Sequence, residues 1–205
     1  MLAIASTHHM TSNHQEQIVV PVTLRDGSIA ELRPIGPADQ GLLIEGLRQM
    51  SPQSKFARFG SGISGLSAAE LRYLTDVNQV SHVAWGATID GEPAGVGRYI
   101  VDSAAEAEIA ITVVDRFQRR GLGRALFDAL AASARAAEIE SFHFAIEPWN
   151  RTVLRMLPGI EVGHDESEGM LTGRIALAEV PASLLEPEFV RLLDRCRQTW
   201  RPESG

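Results

Sequence analysis

Two kinds of residue suited to chemistry share one short stretch. Between Ala107 and Leu126 the chain reads AEIAITVVDRFQRRGLGRAL, with Glu108 at the start of an apolar run and glycines and arginines at its end. Gln118, Arg119, Arg120, Gly121, Leu122, Gly123 and Arg124 stand where a β-branched pattern gives way to a helical one. The first amides of a helix have no intrahelical acceptor, and the helix dipole adds partial positive charge there. Gly121 and Gly123 allow a bulky anion close to that backbone, and three arginines add full charge. The combination predicts an anion site suited to a diphosphate. A bare Gly-x-Gly also suits a solvated basic turn, but the strand before it and the helix after it favour the anion. Glu108 has the type and setting of a general base, because apolar neighbours on its strand would partly desolvate it. Its alternative is a solvated charge paired with an arginine. Glu106, two residues earlier on the same face, is the weaker candidate.

Other motifs carry less. GSGISG at residues 60–65 matches a dinucleotide fingerprint only formally, since a short charged helix rather than a hydrophobic strand precedes it. It reads as an interhelix loop. His82 and His143 lie on predicted strands and are expected to be hydrogen-bonded rather than metal ligands. His164, Asp165 and Glu166 read as a solvated turn with no second ligand cluster, so no metal site is expected. Trp85 and Trp149 are expected to pack the sheet and pocket, and Phe117 to brace the strand end. GISGL lacks the second glycine of a nucleophile elbow, and no Ser-His-Asp or Cys-His set is evident.

The elements that must position these residues follow from periodicity and turns. Asp26-Gly27 joins IVVPVTL to SIAELRP as a hairpin, and Asp90-Gly91 joins HVAWGATI to EPAGVGRYIV as another. Leu42, Leu43, Leu47 and Met50 have helical spacing; Ser51-Pro52 opens a second helix. Ser67 and Glu70 form a capping box for a third. AEIAITVV is the next strand, GLGRALFDALAASARAA an amphipathic helix, SFHFAIE a strand and NRTVLRML a short helix. Strands near IEV and MLTGRIAL complete the sheet, and a terminal helix follows. The order predicts an α/β fold with a mixed central sheet flanked by helices. Residues 1–17 read as a flexible tail, 18–178 as the domain and 179–205 as a helical extension.

Composition narrows the partners. The chain has 205 residues, net charge −7 and one cysteine, Cys196. The acidic balance argues against a nucleic-acid surface and mildly favours cationic substrates. No apolar run reaches the ~20 residues of a membrane span. No signal peptide is expected, no internal disulfide is available, and a cytoplasmic location is the expectation.

The stretch Gln118–Gly123 resembles the acyl-CoA signature of the GNAT acetyltransferase superfamily, Q/R-x-x-G-x-G/A between a strand and a helix. The similarity runs over about Val20–Leu177. It implies a strand splayed by a β-bulge, with Ile111 and Val113 offering backbone to the pantetheine arm. It also implies that residues 118–124 hold the pyrophosphate through amides, and that Asn150 faces the cofactor. Arg124 stands where many members have Ser or Thr. Met156 and Leu157 occupy the neighbourhood of the usual tyrosine acid, and Gly159-Ile160 replaces Gly-Phe. LRDGSIAELRPIGPAD, SPQSKFARF and AEIAITVVDRFQRRGLG together look like bacterial Pat-type protein lysine acetyltransferases. In these the glutamate corresponding to Glu108 takes the amine proton.

The resemblance implies acetyl-CoA as acyl donor and direct attack by a primary amine in a ternary complex. A protein lysine, for example on an acyl-CoA synthetase, is the favoured acceptor. A polyamine or aminoglycoside-like amine is the enzymatic alternative. A non-catalytic acyl-CoA sensor is the alternative from another class, and a homodimer remains open.

Overall fold

The computed structural model describes residues 19–59, 64–148, 161–165 and 169–199, the segment 161–165 by its backbone alone. The Asp26-Gly27 turn joins β1 (Val20–Thr23) to β2 (Ile29–Pro34), with Gly27 at φ +84°. Three helices then follow on one side: α1 (Gln40–Arg48), α2 (Pro52–Phe59) and α3 (Ala68–Thr75). The Ser67 hydroxyl accepts from the Glu70 amide while Glu70 accepts from the Ser67 amide, so the capping box forms as the sequence predicts.

β3 (His82–Ile89), β4 (Glu92–Val101) and β5 (Glu106–Val113) make an antiparallel meander. Helix α4 (Leu122–Arg135) crosses back to β6 (Ser141–Ile146), which pairs parallel with β5. β7 (Glu161–Asp165) and β8 (Met170–Ala176) close an eight-stranded sheet among the described residues, in the order β1-β2-β3-β4-β5-β6-β8-β7. His164 and Asp165 therefore lie in a strand, paired with Leu171 and Met170, rather than in the solvated turn their polarity suggested. Glu166 and the predicted NRTVLRML helix lie outside the described residues.

The two faces of the sheet are packed differently. Helix α4 and the terminal helix α5 (Glu186–Thr199) cover one face. There Trp85 donates from Nε1 to Ser133 Oγ at 3.0 Å and meets Phe189 edge-on, with ring centres 5.4 Å apart. Phe189, Leu192 and Leu193 belong to the same apolar cluster as Leu126 and Leu130, so the terminal helix completes the core. A Cβ on Gly95 would come within 2.9 Å of the Thr112 carbonyl oxygen and 3.1 Å of Leu126 Cδ1, which is why α4 can lie so close to β4. The other face, under α1–α3, has a small apolar cluster of Ile35, Val77 and Ala84 and a cavity of about 110 Å³.

Candidate active site

A wedge opens in the middle of the sheet. β5 pairs with β6 only over Glu106–Glu108, opposite Ser141–His143; from Ile109 onward β5 stays with β4, while β6 continues along β8. The Val114 amide donates to the Ala94 carbonyl at 2.9 Å, and antiparallel alternation then directs the even-numbered peptide groups of β5 toward β4. The peptide groups of Ile109, Ile111 and Val113 consequently face the wedge. The resemblance assigns Ile111 and Val113 to the pantetheine arm, and in the fold their peptide groups lie on the unpaired side of β5. The implied β-bulge is not what splays the strand, because the β4–β5 register is unbroken from Gly95↔Val113 to Val101↔Ala107. The departure of β6 is. The register does shift between β3 and β4, where Ala87 is opposite Gly95 and Thr88 opposite Pro93, so that Ala94 of β4 is the extra residue.

At the mouth of the wedge, residues 119–123 present a row of backbone donors. Arg119 has φ +64° and Gly121 φ +100°, with Arg120 between them outside the positive region; such alternation turns successive amides toward one point. Gly121 is the N-cap of α4. Among the described residues, the amides of Arg119, Arg120, Gly121, Leu122 and Gly123 have no protein acceptor. Five converging donors at a helix start fit a diphosphate and thus the pyrophosphate of acetyl-CoA. Gln118 acts on the loop itself, donating from Nε2 to the Val113 carbonyl at 3.1 Å.

The arginines are less free than their sequence suggests. Arg120 pairs with Asp26 at 3.2 Å and donates to the Arg116 carbonyl, and Arg124 pairs with Asp128 at 2.7 Å. Arg119 is exposed and has no ion-pair partner among the described residues. A further cation was not legible as local pattern: Arg25, in the first hairpin, donates its amide to the Arg120 carbonyl at 2.9 Å. Its Cγ would lie 3.4 Å from a Cβ on Gly121. Phe117 is buried, with the Arg116 and Arg120 guanidinium carbons 4.5 Å and 5.4 Å from its ring centre, so it braces the loop.

The loop is also tied to the helices on the cavity face. Asp115 accepts from the Ser51 amide at 2.9 Å and from the Ser51 and Ser54 hydroxyls at 2.8 Å each. Burial raises this carboxyl, but the Ser51 and Ser54 bonds outweigh it and leave it below its ordinary value.

The carboxylates of β5 separate by their partners. Side chains at even positions of β5 share the face lined by Ala110, Thr112 and Val114, toward the cavity. Glu106 Oε1 accepts from Arg174 Nη2 at 2.7 Å and Nε at 3.0 Å, and from Ser141 Oγ at 3.2 Å. Arg174, then Ser141, hold this carboxyl below its ordinary range, which makes it a poor proton acceptor. Asp102 pairs with His143 Nε2 at 2.5 Å, so His143 is hydrogen-bonded as expected. Glu108 is left over: it is exposed and makes no ion pair among the described residues, with Arg58 within electrostatic reach. Its exposure differs from the partial desolvation expected of it, because its apolar strand neighbours Ala107 and Ile109 turn toward α4. Asn150, Trp149, Met156 and Leu157 lie outside the described residues, and no metal-competent cluster occurs among the described ones.

Comparison with known proteins gives this geometry a class. The model of the acetyltransferase (GNAT) family matches residues 54–157. The GNAT domain of S. lividans PAT is 31% identical, with 77% of this chain and 96% of that chain covered and a TM-score of 0.73. The chain belongs to the GNAT acetyltransferase family. A cAMP-binding acyltransferase from Mycobacterium smegmatis shares the fold at 23% identity and TM-score 0.64, with 88% of this chain covered; the chain spans 55% of that longer protein. The fold recurs in yncA of Salmonella typhimurium, solved with its cofactor acetyl-CoA, at 17% identity and TM-score 0.59, with 75% and 96% of the chains covered. The protein is an acetyltransferase with acetyl-CoA as its acyl donor.

Proposed function

We propose that this enzyme transfers an acetyl group to the side-chain amine of a protein lysine, with Glu108 as the proton acceptor. The observation that carries the role of Glu108 is the sorting of charges beside the wedge. Asp102 and Glu106 are committed to His143 and Arg174, and Glu108 is the carboxylate of this cluster that remains free. Support for a protein lysine comes from the Pat-type pattern of SPQSKFARF and AEIAITVVDRFQRRGLG and from the likeness to the GNAT domain of S. lividans PAT.

The chain's residues divide the work. Amides of Arg119–Gly123 bind the diphosphate, with Arg119 and Arg25 adding charge at the rim. Peptide groups of Ile111 and Val113 orient the pantetheine arm in the wedge, and an amide there polarises the acyl carbonyl. Bound acetyl-CoA supplies an acyl group already activated as a thioester. An amine of pKa near 10.4 is neutral in only about one molecule in two thousand at pH 7, so removal of its proton is the task the protein must perform. Glu108 takes that proton from the pocket face, directly or through one water.

The test is free-thiol release from acetyl-CoA with a folded acyl-CoA synthetase, set against a panel of polyamines and aminoglycosides. Faster turnover on the protein, with the acetyl group located on lysine by mass spectrometry, is the expected result. Turnover confined to a small amine would overturn the lysine reading.

A further inference from the structure

Two arginines in the cavity under α1–α3 have no part in the chemistry above. Arg98 rises from β4 into the cavity and is only 6% exposed. Among the described residues its contacts are neutral: His82 Nε2 at 3.2 Å and the Leu74 carbonyl at 3.5 Å. Arginine only donates, so His82 Nε2 must accept, and the ring is neutral with its proton on Nδ1. Arg58 enters the same cavity from α2 and forms no ion pair among the described residues. Burial, and then Arg58, push the Arg98 guanidinium down to about 10. Of the carboxylates near the pair, Asp39 is bonded to Arg33, Glu31 is exposed on β2, and Glu108 acts on Arg58 without forming an ion pair, so Arg98 has no carboxylate partner among the described residues. A buried cation without a carboxylate is costly to keep, which is explicable where an anion arrives as part of function.

The register places this pair next to Glu108. Arg98 is opposite Ala110, and Ile100 is opposite Glu108, so Arg98 and Glu108 are diagonal neighbours on one face. Such positions are about 7–8 Å apart, a distance a short carbon chain can bridge. A cavity of about 110 Å³ has the liquid volume of roughly three to four waters, and its wall is mostly apolar, with Thr88 and Thr112 beside the charged groups named here.

We propose that Arg98 and Arg58 form a carboxylate subsite beside the reacting centre, occupied by a short-chain carboxylate belonging to the acyl group or to the acceptor amine. In the first case the enzyme transfers an ω-carboxyacyl group; in the second it prefers an amino acid–like acceptor or a lysine beside an acidic terminus. In both cases the amine nitrogen forms the amide bond, the C–S bond breaks, the amine proton passes to Glu108 and on to solvent, and the CoA thiolate leaves and takes up a proton. The inference rests on the proposed role of Glu108 only for this orientation.

The experiment compares size-matched pairs by thiol release: succinyl-CoA against butyryl-CoA as donors, then γ-aminobutyrate against butylamine as acceptors. The expected result is at least a tenfold higher kcat/KM for the carboxylate member of one pair, falling to within twofold in Arg98→Met. The pair that shows the preference identifies the source. Arg58→Met, on a partly exposed helix, carries the same test should Arg98→Met fail to fold. The absence of a preference in both pairs, or its persistence in both folded variants, would overturn the subsite. A separate readout is the melting temperature in succinate, which should rise in the wild type and not in the variants. Inactivity with every donor, together with that rise, would count against the proposed chemistry and not against the subsite.

Discussion

The two faces of the sheet hold cations and apolar groups under different rules. On the α4–α5 face, Trp85, Phe189, Leu126 and Leu130 pack without charge, and Gly95 leaves only enough room for the helix. On the α1–α3 face, Arg58 and Arg98 share a cavity that a tighter core would have closed. A face built only for stability resembles the first; the second keeps space and buried positive charge next to Glu108. The wedge between β5 and β6 connects them, with Ile109, Ile111 and Val113 side chains toward α4 and Glu108, Ala110 and Thr112 toward the cavity.

Substitutions on either face should separate these roles. Gly95→Ala places a methyl 2.9 Å from the Thr112 carbonyl, which cannot yield, and should destabilise the fold by up to about 3 kcal/mol in urea unfolding. On the cavity face, burial and then Arg98 push His82 down to about 4. An unfolded chain protonates this histidine near pH 6.5 while the folded chain does not, so stability falls as pH drops from about 6.5 to 4 and is unaffected above that window. His82→Gln keeps an acceptor for Arg98 and should remove about 2 kcal/mol of this acid loss, read by melts at pH 7 and pH 4.5. At the loop, Gly121→Ala forces a side chain into φ +100° and toward Arg25, and should raise KM for acetyl-CoA about tenfold while the core melts as before. Smallest, Ala110→Val fills cavity space and should be neutral or stabilising by less than about 1 kcal/mol, the opposite sign to Gly95→Ala.

Local features were readable from sequence because their causes are local. The Asp-Gly hairpins, the Ser67–Glu70 box and the glycine-rich start of α4 each act within a few residues, and the structure forms them where the pattern indicated. Contacts between distant segments were not readable. Glu106 and Glu108 have similar surroundings in sequence, and what separates them is Arg174, 68 residues from Glu106. The partnering of Arg120 with Asp26 joins the first hairpin to the diphosphate loop, and the meeting of Arg58 with Arg98 depends on α2 lying over β4. His164 and Asp165 look like a turn by polarity, yet pairing with β8 makes them strand. The signal for Arg25 lay only in its place beside a hairpin turn, with nothing in the sequence to say which loop that turn would touch.

The most direct test of the account is kcat against pH for Glu108→Gln beside Glu106→Gln and wild type, with acetyl-CoA affinity measured on each protein. Glu108→Gln should lower kcat at neutral pH by about 10²–10⁴-fold with donor affinity unchanged, and recover part of the rate as pH rises toward the amine's own pKa. Glu106→Gln should stay within about threefold of wild type, because Arg174 already withholds that carboxylate from proton transfer. Wild-type turnover in Glu108→Gln, or a larger loss in Glu106→Gln, would contradict the assignment of the base.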